Sequence, residues 1–226
     1  MAEHAHHHHS STATGFHRKL KDGTQELHDQ AESGNFQIRM VNGELARQEF
    51  ASFLGQMRHI HATLDPALSA AAASDDRVAS IFEDAHHRLG RIDQDLRDLE
   101  CTEIADPLPA TTKFVDYVTS MGASNPASLI GVLYVKEGAT NGNKFVAKKL
   151  RETMGLEPDM AMGYLDPHGK DQRKRWNAFK VTLNELNLTE DEQQDCVAVA
   201  QETFQMVMDI SKQIPVAHDE PVAAQG

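Results

Sequence analysis

The spacing of apolar residues between positions 45 and 68 is the strongest constraint on what this chain can fold into. Leu45, Phe50, Phe53, Leu54, Met57, Ile60, Leu64 and Leu68 recur every three or four residues, the rhythm of a helix that buries one face. Asn42 or Gly43 is placed to start this helix, and Pro66 to bend or break it. Strand-like alternation is scarce elsewhere, and aromatic residues make up only 6% of the chain, which leaves little material for a sheet.

The same periodicity predicts helices over most of the remaining length. Leu20, Thr24, Leu27, His28 and Ala31 share one face of a first helix. A shorter helix is expected over about 75 to 99. NPASLIGVLYVKEGATNGNKFVAKKLRETMG reads as one long helix, with Ser124 or Asn125 capping a proline in its first turn. LEPDMAMGYLDPHG is irregular, and KDQRKRWNAFKVTLNELN is helical again. The last helix opens on Thr189 with Glu192 three residues on, a capping box. Neither an internal repeat nor a domain linker interrupts the series. The expected fold is a single-domain, all-α helical bundle over 15–214, with six to eight helices. It is flanked by a His-rich tail or tag over 1–14 and a flexible tail over 215–226.

A net charge of −12 over 226 residues argues against general binding to nucleic acid or anionic membranes. No apolar run approaches the length of a membrane span, and no secretory signal is visible. Cys101 and Cys196 lie far apart, form no CxxC motif and suit a reducing compartment. The expectation is a cytoplasmic protein, monomeric, with no nucleic-acid or membrane partner.

Two stretches carry chemistry. In LKDGTQELHDQAE, His28 and Glu32 are neighbours on one helical face, and Lys21 lies two turns back on nearly the same side. A histidine that ligates haem iron gives one imidazole nitrogen to the metal, and the other usually donates to a carboxylate or carbonyl. Glu32 stands where such an acceptor would be. Spacing alone favours the plainer reading, a partly buried histidine of an ordinary amphipathic helix. In GVLYVKEGATNGNKFVAKKL, Gly131, Gly138 and Gly142 interrupt a helical pattern, each at a cost of about 1 kcal/mol relative to alanine. Close helix packing would explain them. So would a kink that lets bare backbone approach a flat ligand.

Together these stretches resemble the haem oxygenase family. Its N-terminal pattern is matched by Leu20, Lys21, Thr24, His28 and Glu32, and its distal Gly-x-x-x-Gly kink by Gly138 and Gly142. LYVKEGATNG is closest to the bacterial, biliverdin-producing branch. The similarity extends over about residues 16 to 214. It implies a haem sandwiched between a proximal and a kinked distal helix, with His28 as iron ligand and Glu32 as the acceptor behind it. It implies haem contacts from Lys21, Thr24, Lys180, Arg173 and Phe204, with Lys21 and Lys180 meeting propionates. Trp176 stands where animal enzymes carry a lysine. Two departures concern the distal side: Ala139 replaces the aspartate that orders water in animal enzymes, and Asn143 replaces a second glycine. Thr140, Asn143, Arg58 and His61 are the candidates left to hold that water.

The implied reaction takes haem as cofactor and substrate and dioxygen as co-substrate, and yields biliverdin, carbon monoxide and ferrous iron. Electrons would come from a ferredoxin or an NADPH-dependent flavin reductase. Two basic clusters could receive it: Lys144, Lys148, Lys149 and Arg151, and Lys170, Arg173, Lys174 and Arg175. Ala139 keeps open a non-catalytic haem-binding or haem-transfer protein on the same fold. A two-iron oxidase is the remaining alternative, with Glu137, His86 and His87 in suggestive places but no Glu-x-x-His pattern.

Overall fold

The apolar rhythm read from positions 45 to 68 lies on one helix, α3 (Arg47–Ser74), from Phe50 onward, with Leu45 just before its start, and every residue of that rhythm is buried. The computed structural model describes residues 14–158 and 160–217, so the tails expected over 1–14 and 215–226 fall almost wholly outside the described residues. The other helices are α1 (Gly15–Glu32), α2 (Asn35–Asn42), α4 (Asp76–Ile81), α5 (Leu89–Asp98), α6 (Pro109–Ser124), α7 (Ile130–Thr153), α8 (Gln172–Glu185) and α9 (Glu190–Gln213). Short 3-10 turns cover Asp84–His86, Pro126–Leu129 and Gly169–Asp171. The all-α expectation holds, and the described residues contain no strand.

Several boundaries differ from the expectation for physical reasons. Asn42 and Gly43 end α2 and do not start α3: Gly43 adopts the left-handed conformation at φ 72°, which terminates a helix and which glycine takes without penalty. Pro66 does not break α3. Pro66 and Ala62 are both exposed, so the carbonyl that loses its amide partner faces water. The helix expected over 75–99 is two helices, because Phe82 turns extended after α4 and Glu83 begins a 3-10 turn closed by His86 Nδ1 on its amide at 3.0 Å. Asn125 does not cap the long helix. Its amide donates to Asp195 of α9 at 2.8 Å, and Pro126 opens a 3-10 turn before α7 begins. The capping box of Thr189 and Glu192 is present at the start of α9.

α9 is the floor of the bundle, packing against α1, α6 and α7. Its crossing with α7 is close. A Cβ added to Gly131 would lie 2.2 Å from the Cys196 carbonyl oxygen and 2.9 Å from the Ala200 nitrogen. Only a residue without a side chain lets the two backbones approach this far. Close packing therefore explains Gly131. It does not explain Gly142, where an added Cβ would meet nothing within 4 Å, nor Gly138, where it would meet only the Trp176 ring at 3.6 Å.

On its other side α7 is clamped by a buried polar network. Glu137 accepts from Arg88 at 2.7 Å and bonds His168 Nε2 at 3.0 Å, with His86 Nε2 at 3.9 Å. Asp65 of α3 accepts from the Arg88 and Leu89 amides at 2.8 and 2.9 Å and bonds His61 at 2.8 Å. Lys136 donates to the His86 carbonyl. Burial alone would raise the Glu137 carboxyl, but the His168 bond and the Arg88 charge override it and hold it at about 2. Burial pushes His61 and His86 each down to about 4, so both imidazoles are neutral at pH 7.

Two stability predictions follow from this packing. Gly131→Ala should destabilise the fold by about 3 kcal/mol or more, since backbone cannot yield as a side chain does. Gly142→Ala should be neutral or stabilising by up to about 1 kcal/mol. Urea unfolding of both variants checks the contrast. Glu137→Gln leaves Arg88 buried without its counter-charge and should cost about 3–5 kcal/mol at pH 7. Because the folded Glu137 value lies below its ordinary 4.5, the wild-type contribution is complete above that value and is lost as pH falls toward 2. Urea midpoints across that window should fall more steeply for wild type than for Glu137→Gln.

Candidate functional site

His17, Lys21, Thr24 and His28 follow one another at spacings of four, three and four, so they form one stripe along α1. The stripe changes character along its length. His17 and Thr24 are buried, whereas Lys21 and His28 are exposed. Thr24 donates to the Leu20 carbonyl at 2.8 Å. His17 presents its ring to Tyr134 at 6.1 Å and to Trp176 of α8 at 6.0 Å, both edge-on. These aromatic contacts join α1, α7 and α8 at one end of the stripe.

At the other end stands His28, with half of its side chain exposed. Its Nε2 lies 3.7 Å from a Glu32 oxygen and its Nδ1 3.7 Å from an Asp29 oxygen. Both separations exceed a hydrogen bond, and a small side-chain movement would let either carboxylate accept one from the imidazole N–H. Asp29 was not among the sequence candidates. Phe204 of α9 meets the His28 ring edge-on at 5.9 Å. The three groups His28, Asp29 and Glu32 also lie close enough to gather a bare cation, and they are the only such cluster among the described residues. All three are exposed, which is common on surfaces without any ion. Glu137, His86 and His87 form no such cluster, and the Glu137 carboxylate is occupied by Arg88 and His168.

On α7, Ala139 and Gly142 are exposed, while Gly138 and Asn143 are half-buried. The helix is continuous from Ile130 to Thr153. Thr140 is turned the other way: its buried hydroxyl donates to the Glu137 carbonyl at 2.6 Å and accepts from Gln172. The Gln172 side-chain oxygen is buried without a partner. His61 is engaged by Asp65 and sits edge-on to Tyr164 at 5.7 Å. Arg58 pairs with Asp93 of α5 at 2.7 Å. Of the four candidates for holding distal water, Thr140, His61 and Arg58 thus already have protein partners. Asn143 stays on the turn that carries Ala139 and Gly142.

The rim is cationic. Lys180 of α8 sits over the Trp176 ring at 5.8 Å from its centroid. Burial lowers its ammonium below the ordinary value, as does the nearby Arg173 guanidinium. Burial likewise lowers His17, and the charges of Lys180 and Lys21 push it further. Lys21, Lys180 and Arg173 therefore gather at the aromatic end of the stripe. A cavity of about 580 Å³ opens between α4 and α8, lined by Phe82, His86, Glu137, Arg175, Trp176 and Phe179. Neither His28 nor either glycine lines it. His17 and Tyr134 were missed by sequence reading. The four-residue step back from Lys21 was a usable signal for His17, whereas Tyr134 needed the crossing of α1 and α7.

This donor set fits a haem. It offers one accessible imidazole, an aromatic edge at Phe204, a helix turn bare of side chains at Gly142 and a cationic rim for carboxylates. The comparisons agree. A family model described as "Heme oxygenase" matches residues 14–213. Heme oxygenase 1 of Homo sapiens is 22% identical over 209 residues, covering 88% of this chain and 72% of that protein. Heme oxygenase 2 of Synechocystis is 25% identical over 185 residues, covering 78% and 74%. The crystal structure of heme oxygenase-2 from Synechocystis in complex with heme and NO superposes with a TM-score of 0.83 at 22% identity, over 89% of this chain and 85% of that one. With a family match spanning nearly all the described residues and the same bundle, the chain belongs to the haem oxygenase family.

Proposed function

We propose that the protein is a haem oxygenase that cleaves haem to biliverdin, carbon monoxide and ferrous iron, using dioxygen and electrons from a partner protein. The observation that carries this reading is an accessible imidazole on α1 together with Gly142 on α7, where an added Cβ would meet nothing within 4 Å. A haem bound there supplies a redox-active iron and the ring that is itself oxidised.

The chain's own residues do the rest. His28 would offer the iron a nitrogen ligand, and Glu32 or Asp29 would accept a hydrogen bond from the N–H on the ring's other nitrogen and fix its orientation. Phe204 packs edge-on to the imidazole and restrains its rotation. Gly142 would leave room beside a bound ring for a small diatomic molecule, and Gly138, one turn earlier, lies under the Trp176 ring. Lys21, Lys180 and Arg173 orient the carboxylate edge of the ring, which selects the ring carbon presented to the distal side. Ala139 cannot hold water as a carboxylate would. Asn143, one helical turn after Ala139 on the same face, carries donor and acceptor groups, and we assign it that task. Thr140 acts indirectly, tying the turn to Gln172 on α8.

Electron delivery requires a donor such as a ferredoxin or a flavin reductase. Lys148 and Lys149 are exposed on α7 beside Phe145, whose relative exposure is 74%. Lys170, Arg173 and Lys174 are exposed at the start of α8 and in the turn before it. A bulky aromatic ringed by cations suits an acidic partner with an apolar centre. Arg151 and Arg175 contribute less, since they are tied to the Met160 carbonyl and to Glu83. No helix of the described residues is long and apolar enough to cross a membrane.

Replacing His28 with alanine should abolish the histidine-ligated haem spectrum and weaken haem binding by at least about tenfold, a loss in line with the energy of one strong ligand interaction. Added imidazole should restore the spectrum in part. Absorption titration of ferric haem checks this, and an unchanged spectrum removes His28 as the ligand. Gly142→Leu, which projects a side chain into the space in front of the turn, should block haem binding without lowering the urea midpoint.

A further inference from the structure

We propose that the cavity between α4 and α8 is a second ligand site, separate from the haem slot, and that it takes a flat aromatic carboxylate, with Glu83 keeping the carboxylate's place on Arg175 until the ligand arrives. The inference does not rest on haem binding, because His28, Phe204, Gly138 and Gly142 all lie outside the lining of this cavity.

The cavity measures about 580 Å³, within the range of pockets that enclose a small organic ligand. Buried His86, Glu137 and Phe179 form its inner end, and exposed Glu83, Lys174 and Ala178 its mouth. Its sides are aromatic. Trp176 and Phe179, one turn apart on α8, hold their rings 5.6 Å apart and nearly parallel, at an interplanar angle of 16°. Phe82 adds a third ring, 5.9 Å from the His86 imidazole. Flat apolar walls of this kind suit a flat apolar body.

Two donors in this cavity have no acceptor within reach among the described residues. The first is the Arg175 Nε–H, which is buried without a partner, although the neighbouring terminal nitrogen of the same guanidinium donates to Glu83. A guanidinium edge offers two parallel donors and is matched by a carboxylate, and Glu83 fills only half of it. The second donor is His86. Its Nδ1 accepts from the Glu83 amide at 3.0 Å, which puts the proton of the neutral ring on Nε2. That Nε2 lies 3.8 Å from the same Glu83 oxygen that Arg175 holds, and 3.9 Å from Glu137. Both separations are too long for a hydrogen bond. Arg175 and His86 therefore flank one oxygen position, and the side chain that occupies it is free to leave. Glu83 is 57% exposed, so swinging into water costs it little. Glu137 is not exchangeable in this way, because Arg88 and His168 hold it. Once Glu83 withdraws, Lys174 and Asp171 offset each other in the lining and Arg175 lacks a counter-charge. An incoming carboxylate supplies one, accepting from Arg175 Nε and His86 Nε2 while its ring lies against Trp176 and Phe179.

The test uses the full chain and 2-naphthoate as the probe. Calorimetry gives its Kd, and NMR reads the site at the Trp176 indole N–H, since the chain has one tryptophan. Wild type should bind 2-naphthoate with a shift of that resonance. It should bind 2-naphthamide, which keeps the rings and loses the charge, at least about tenfold more weakly, the loss expected for one charge-assisted pair. This arm needs no variant to fold. Arg175→Gln should weaken naphthoate to a similar extent, and Ala178→Phe, which fills the mouth, should abolish its binding. Glu83→Gln removes the competitor and should tighten naphthoate by about two- to tenfold, the range of an exposed ion pair. Naphthoate that leaves the indole resonance unmoved at millimolar concentration overturns the proposal, as does equal binding of acid and amide. Weaker binding by Glu83→Gln overturns the exchange. Unchanged affinity in both Arg175→Gln and Ala178→Phe places the probe elsewhere and overturns the site.

Discussion

The crossing of α7 over α9 at Gly131 is the contact on which the rest of the arrangement depends. Backbone meets backbone there, with the Cys196 carbonyl where any side chain would be. This fixes the start of α7 on the floor of the bundle. Arg88, His168 and Gln172 hold Glu137 and Thr140 from behind. Pinned below and clamped behind, the next turn of α7 presents Ala139 and Gly142 outward without side-chain cover. The helical glycines thus divide the work: Gly131 permits the approach, and Gly142 leaves the space.

Electrostatics impose a second order on the same region. The chain is acidic overall, yet Lys21, Lys180 and Arg173 converge at one end of the α1 stripe. The buried network behind α7 is different in kind. Its charged groups are paired with one another, and His61 and His86 are neutral at pH 7 because burial disfavours their charged forms. A cationic end in front and a buried, largely paired network behind suit an anionic ligand held against a rigid backing.

Much of the fold was legible in the sequence, because helical periodicity is local. The face of α3 from Phe50 to Leu68, the irregular segment before α8 and the Thr189 capping box all lie where the pattern puts them. Boundaries were less legible where one residue type serves opposite ends. Gly43 could open α3 or close α2, and only its left-handed φ decides. The site was legible along one helix and not across helices. His28, Lys21 and Glu32 come from spacing on α1, and Gly138 with Gly142 from spacing on α7. Tyr134, His168 and Gln172 became visible only when α1, α7 and α8 were brought together. Arg58 and His61 illustrate the converse: polar residues of α3 with plausible reach, already engaged by Asp93 and Asp65. The same bundle can hold haem without degrading it, so the fold leaves the choice between turnover and binding to the site.

The most direct test of the central claim is to load the protein with one equivalent of haem, add a ferredoxin-based or flavin reductase system in air, and follow the visible spectrum while trapping carbon monoxide. The account predicts that the haem band decays, a bilin band rises, and carbon monoxide appears in about equimolar amount to the haem lost, from the stoichiometry of opening one ring. A haem band that persists under reduction in air, with no bilin and no carbon monoxide, would contradict it and leave a haem-binding protein on this fold.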